Sequence, residues 1–271
     1  MTETMKDFLA TLRMLDPARQ FRGRLKRAVR LLLNWWIWLT TRLGGGSYTD
    51  FYERMMDRRA RVGSLFGKSA LAVTGTPDER RRRFAVEYFA AHGWITPTTT
   101  FLDYGCGGGA TGVNFIRYLD TGRYTGADIS GESLRRAREW VGKSRLADRC
   151  PTFVHLPGGS LAGLNDRTFD LIYAQDVVTH MPPDNIRALI REIARHMRFD
   201  GVFLMTFTYA DGDCEYQDDL VNWHHNPRFF VAASAGSPLG CEEVVEWTKA
   251  GYKPGEVSRM VRFHLRPASG R

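Results

Sequence analysis

The chain has 271 residues, of which 43% are hydrophobic and 25% charged, a globular composition that excludes collagen-like, low-complexity and disulfide-scaffold classes. Its formal net charge of +8 is unevenly placed, because residues 1–95 hold 18 Lys and Arg against 9 Asp and Glu. A basic segment attracts nucleic acid, an anionic membrane or an acidic substrate. No nucleic-acid-binding motif accompanies it, so nucleic acid is not expected as a partner.

Four cysteines, Cys106, Cys150, Cys214 and Cys241, lack C-x-x-C spacing, which argues against a zinc site or disulfide framework and agrees with a cytoplasmic location. The first residues carry Glu3, Asp7 and Asp16 among apolar ones, unlike a secretory signal. The longest apolar stretch, Leu31 to Leu39, is far below the roughly 20 residues needed to span a bilayer.

Arg22 to Leu43 reads as a helix with basic residues early and Trp35, Trp36 and Trp38 late, ending at Gly44-Gly45-Gly46. Two readings stay open for 22–43. The helix packs on a catalytic domain and buries its tryptophans, or it makes peripheral membrane contact, where Trp and Arg are both favoured. A short helix through Glu53 and Arg59 follows, then a loop. Thr76-Pro77-Asp78-Glu79 is a helix start, and that helix should stop at Gly93. Its consecutive arginines Arg80 to Arg83 spread around a helix and read as a solvated face.

Beyond Pro97, strands alternate with helices, the pattern of a parallel sheet with crossover helices. Strands are expected over 99–104, 123–129, 152–156, 169–175 and 201–209, and helices over 109–118, 131–144 and 183–198. The tail should carry a helix at 241–250 and a final strand at 258–265. The expected organisation is a basic helical extension over 1–84 and a domain over 85–271, with an insertion around 211–240.

The segment FLDYGCGGGATG joins a strand to a helix through Gly105, Gly107 and Gly109, which let the backbone turn and a ligand approach. The next strand ends at Asp128, whose carboxylate can accept two ribose hydroxyls, so an adenosine-containing ligand is expected. Gly105-x-Gly107-x-x-Ala110 also fits the dinucleotide fingerprint, which keeps an NAD(P)-dependent oxidoreductase as an alternative. Asp103, just before the turn, discriminates. A carboxylate there opposes a pyrophosphate and suits a ligand carrying an ammonium and a sulfonium.

With D-x-G-x-G-x-G at Asp103 to Gly109, the acid at Asp128 and FDLIYAQDVVTHM at 169–181, the chain resembles the class I S-adenosylmethionine-dependent methyltransferases over roughly residues 85–209. The resemblance implies an α/β, Rossmann-like, doubly wound sheet of seven mostly parallel strands, with one antiparallel strand near the C-terminus. It implies S-adenosyl-L-methionine as cofactor. Asp103 and the Gly105–Gly109 turn would hold the methionine part, Asp128 the ribose and Ile129 one face of adenine. Gln175 would lie beside the amino-acid moiety and the methyl group. Many members of the family carry an acid after the third strand for the adenine amino group, and FVHLPGGSLAGL has none.

Methyl transfer mainly requires alignment, and a hydroxyl acceptor also requires a base. His180, just beyond the fourth strand, is the first candidate, with Asp176 as its orienting partner or a helix cap. His225, within NWHHNPRFF, is the second, and His224 or His225 with an acidic neighbour could instead hold a divalent ion; no metal is assigned. A small-molecule acceptor follows, a sugar or lipid-linked sugar as the first expectation. A non-catalytic cofactor-binding module is the remaining alternative.

Overall fold

The computed structural model describes residues 17–65, 79–217, 221–249 and 258–267. Two compact units emerge, Met1–Phe51 and Tyr52–Arg271. The contact boundary therefore falls inside a helix at 51/52, whereas the shift in composition suggests an edge near residue 84.

The first unit contains helix α1 (Pro17–Leu43) and the first turn of α2 (Tyr48–Leu65). Ser47 and Asp50 form a reciprocal cap at the start of α2: Asp50 N–H donates to Ser47 Oγ at 3.2 Å and Ser47 N–H to Asp50 Oδ2 at 2.7 Å. That cap lets α2 begin directly after the three glycines.

In the larger unit, α2 continues from Tyr52, and α3 (Glu79–Ala91) ends just before Gly93, as its pattern requires. Thr76 and Pro77 lie outside the described residues. The alternating part then runs β1 (Phe101–Tyr104), α4 (Gly112–Tyr118), β2 (Tyr124–Asp128), α5 (Gly131–Lys143), β3 (Thr152–His155), β4 (Phe169–Ala174), α6 (Pro183–Ile193) and β5 (Met197–Thr208). The 211–240 insertion is a hairpin of β6 (Cys214–Gln217) and β7 (Asn222–His225) followed by α7 (Pro227–Ser234), capped by Asn226 Oδ1 accepting Arg228 N–H. β8 (Leu239–Glu243), α8 (Val245–Lys249) and β9 (Ser258–Leu265) complete the described chain.

The main sheet has seven strands in the order β3-β2-β1-β4-β5-β9-β8. β9 is antiparallel to both β5 and β8, and the other neighbouring pairs are parallel. The expected helix over 241–250 is corrected here. Leu239 to Glu243 is strand β8, with Cys241 opposite Phe263, and among the described residues of that stretch only Val245–Lys249 is helical. The glutamates favour a helix locally, but edge pairing to β9 satisfies the backbone across the sheet and overrides that preference.

Successive strand residues point to opposite faces, and both faces are covered. Leu102, Ile172, Phe203 and Phe263 pack with Ile186 and Ile190 of α6 and Phe230 of α7. On the other face Phe101, Tyr173 and Leu204 pack with Phe89 of α3, Phe115 of α4 and Trp247 of α8. The strand order reverses at β1 and β4, and the crevice at their carboxyl ends is where this architecture binds ligands.

Trp247 is fully buried, edge-on to Phe84 and Tyr88 at 5.2 and 5.1 Å between centroids. Trp247→Ala should lower stability by about 3–5 kcal/mol through lost contacts and a residual cavity, read as a drop in the urea midpoint at unchanged slope.

Candidate active site

The turn after β1 sits at the strand-order reversal. Gly105, Gly107 and Gly109 have φ of 75°, 53° and 77°, the left-handed region in which a side chain is strained. A Cβ on Gly105 would also lie 2.4 Å from Val177 Cγ2, so the turn and the segment after β4 approach too closely for any side chain there.

The turn spends its amides internally. Gly105 and Cys106 N–H both donate to Ala127 O, at 2.7 and 3.1 Å, and Gly109 N–H donates to Cys106 O at 3.1 Å. Gly107 N–H donates to Asp128 Oδ2 at 2.8 Å. A pyrophosphate-binding turn needs such amides turned outward; here four of them are directed at the chain's own acceptors.

The two strand-end carboxylates lie beneath this turn. Asp103 accepts the Tyr124 hydroxyl on Oδ2 at 2.7 Å, and Asp128 accepts Ser130 N–H on Oδ1 at 2.8 Å besides Gly107. Only 4% of Asp103 and 7% of Asp128 is exposed. Burial pushes Asp103 up to about 7, against the stabilising Tyr124 hydrogen bond and with the nearby Asp128 charge adding to the rise. Burial likewise raises Asp128 to about 6, opposed by the Ser130 and Gly107 amides. The crevice thus has a strong electrostatic preference for a cation, which would return both groups to their charged forms.

Helix α2 supplies residues that sequence reasoning did not single out for the site. Asp57 Oδ1 accepts the Ser130 hydroxyl at 2.6 Å and Glu132 N–H at 3.2 Å, so this carboxylate sits on the N-terminus of α5. Glu53 Oε2 accepts Gly158 N–H at 3.0 Å, and its Oε1 lies 3.5 Å from His155 Nε2. His155 Nε2 in turn donates to the carbonyl of Ile129 at 2.8 Å. Tyr52 stacks on His180 with centroids 5.6 Å apart, and burial followed by the Asp128 charge keeps its hydroxyl protonated. Glu53 thus places a carboxylate beside the segment after β3, from a residue about a hundred positions earlier in the chain.

The candidate catalytic residues separate. His180 follows β4 in a short 3-10 turn, and its Nδ1 donates to Val221 O at 2.8 Å, which fixes the Nδ1–H tautomer. A backbone carbonyl of the hairpin region thus orients the ring. Asp176, with φ of 55°, receives the Thr206 hydroxyl on Oδ1 at 3.2 Å and donates its own N–H to Thr206 Oγ1 at 2.8 Å. His225 as a base is corrected: it is fully buried, stacked on Phe229 at 5.1 Å, with Nε2 donating to Val178 O at 3.3 Å. Burial lowers it to about 4, so it is a neutral packing residue between the hairpin and α7. Gln175 is half-buried at the end of β4. Among the described residues, no three His, Cys, Asp or Glu side chains converge on a point that could hold a metal ion.

Sheet order, glycine turn and strand-end carboxylates together define a Rossmann-like nucleoside-binding domain. Residues 101–201 match the family described as a methyltransferase domain, and the sheet has the fold of solved S-adenosylmethionine-dependent methyltransferases. A protein named "Probable methyltransferase" from Aspergillus luteorubrus is 33% identical over 96 residues, covering 34% of this chain and 34% of that protein. An "O-methyltransferase" of Pyrenophora dematioidea is 27% identical over 179 residues, 65% of this chain and 61% of that protein. The magnesium protoporphyrin IX methyltransferase of Synechocystis PCC 6803, solved with bound SAH, shares the fold at a TM-score of 0.52 and 16% identity, over 78% of this chain and 86% of that one. The chain thus spans about a third of the first relative's length and under two thirds of the second's.

Both carboxylates have folded values above the ordinary 3.8, so their contribution to stability is complete below about pH 4 and lost as pH rises through about 6 and then about 7. The ligand-free protein should lose a few kcal/mol across that window. Asp103→Asn should flatten the upper part of the profile, measured as unfolding free energy against pH.

Proposed function

We propose that the chain is an S-adenosylmethionine-dependent methyltransferase that methylates a hydroxyl oxygen of a small acceptor, a saccharide or lipid-linked saccharide in the first instance. The observation that carries the cofactor assignment is the pair of buried, upshifted carboxylates under a turn whose Gly105, Cys106, Gly107 and Gly109 amides face inward. A dinucleotide would bring its diphosphate to that turn, meeting two acids and few amides. A cationic nucleoside meets an attractive potential instead.

The donor set fits this cofactor. Asp128 and Ile129 would hold the ribose and one face of adenine, and Asp103 with the glycine turn would hold the methionine end. An adenine edge presents one ring-nitrogen acceptor and one amino donor, the complement of Gly158 N–H and the Glu53 carboxylate, which now satisfy each other. When bound, the cofactor supplies a methyl group on a sulfonium whose thioether leaves without needing a proton.

The chain's own residues then have two tasks: aligning the acceptor and taking its proton. With Nδ1–H fixed by Val221 O, His180 can receive a hydroxyl proton at Nε2. Strand β7 begins one residue beyond Val221, so the insertion is joined to His180 directly. It carries Tyr216, 47% exposed and 5.0 Å from Trp223 between centroids, an aromatic pair of the kind that stacks on sugar rings. The relative named as an O-methyltransferase adds weight to oxygen as the acceptor atom.

A radiolabelled methyl donor offered to separated sugars, lipids and small metabolites should label a sugar-containing fraction. Labelling confined to amines would overturn the oxygen assignment. S-adenosylhomocysteine should raise the melting temperature, and NAD or NADP should not. His180→Ala should lower kcat by roughly a hundred- to ten-thousand-fold with little change in S-adenosylhomocysteine affinity. Glu53→Gln should do the reverse, weakening that affinity roughly ten-fold while leaving kcat close to wild type, measured by calorimetry and steady-state rates.

A further inference from the structure

We infer that α1 is an interfacial helix that lays one face into an anionic lipid surface. This inference stands apart from the proposed chemistry, because it concerns only the first unit and a property read without turnover.

The sequence of α1, Pro17–Leu43, contains seven Arg and Lys residues and no Asp or Glu. Over its described side chains an exposed apolar arc stands opposite two buried polar residues. Val29, Leu32, Trp36 and Leu43 are 47%, 66%, 60% and 80% exposed. At about 100° per residue these four fall within an arc of roughly 60°. Leu33 and Trp35, also exposed, flank that arc. Asn34 and Thr41, on the opposite side, are 3% and 1% exposed. The Thr41 hydroxyl donates to Ile37 O at 2.7 Å, so that buried polar group is satisfied within the helix. Such a helix turns a contiguous set of large apolar residues toward solvent, which costs free energy unless an apolar phase receives them.

Charge selects the phase. An acid-free cationic helix is attracted to anionic headgroups, while exposed tryptophans prefer the boundary between headgroups and acyl chains. A second copy of the helix would bring seven positive charges against seven more. Nucleic acid would satisfy the charge but leave Leu32, Trp36 and Leu43 in water. A helix of this length lies about 40 Å along a surface, and none of the described helices is long and apolar enough to cross a membrane. The occupant that answers both the charge and the apolar arc is a bilayer surface rich in anionic lipid.

The test is sedimentation of the full chain with vesicles of phosphatidylcholine alone and of phosphatidylcholine mixed with phosphatidylglycerol. Binding should be at least about ten-fold tighter to the anionic vesicles and should weaken as salt is added. Brominated lipid in those vesicles should quench tryptophan fluorescence, and the quenching should be lost in a Trp35→Phe, Trp36→Phe double variant. Leu32→Glu should abolish binding, and Arg24→Glu with Arg27→Glu should remove the preference for anionic vesicles. Each variant should retain the wild-type melting temperature and S-adenosylhomocysteine affinity, which excludes misfolding as the cause. Equal binding to both vesicles, binding to neither, or a concentration-dependent dimer dissolved by Leu32→Glu would each overturn the inference.

Discussion

Asp128 accepts two backbone N–H groups at 2.8 Å, one from Gly107 in the turn after β1 and one from Ser130 in the turn after β2. This one carboxylate ties together the two turns that bound the crevice, and it does so from almost complete burial. Two amides compensate part of its desolvation, yet its affinity for a proton remains above normal. The arrangement is therefore held and strained at once: geometrically fixed by hydrogen bonds, electrostatically short of positive charge. Asp103, one strand over, has the same deficit with a single phenolic partner. A ligand that brings positive charge relieves both, which makes cofactor selection a consequence of how the turn is built.

Helix α2 extends this logic beyond the family-matched region. Its Glu53, Asp57 and Tyr52 reach Gly158, the start of α5 and His180, so a single helix touches the turn after β2, the segment after β3 and the segment after β4. Asp57 occupies the amide-rich N-terminus of α5, where an anionic ligand group would otherwise be favoured. Its presence again makes the crevice unsuitable for phosphate and reserves it for a cation.

Much of the sheet was legible in the sequence, because parallel strands buried on both faces read as short apolar runs; Phe169 to Ala174 is one such run. Asp103, the three glycines and Asp128 were legible for a related reason, since adjacent parallel strands bring their ends together whenever strand and helix alternate. β8 was not legible. LGCEEVVEW has helical propensity, and only the ladder to β9 turns its first half into a strand. Glu53 was equally hidden, because its meeting with Gly158 spans 105 residues and leaves no local periodicity to detect. His225 misled for the opposite reason: a histidine in a polar-looking run proved to be fully buried, a fact decided by Phe229 and Phe230 packing around it.

The link between His180 and Val221 joins two features usually treated separately. The Nδ1–H tautomer of His180 is held by a carbonyl immediately before β7, so the hairpin region orients this imidazole. Buried His225 anchors the far end of β7, with Nε2 on Val178 O two residues before His180, while Asn226 Nδ2 holds Ala210 O at 3.1 Å. The strand is thus pinned at both ends to the segment that carries His180. A shift of the hairpin would remove the Nδ1 partner and release the ring to rotate or change tautomer. Ring orientation at His180 and the position of the hairpin are therefore coupled through the Val221 carbonyl.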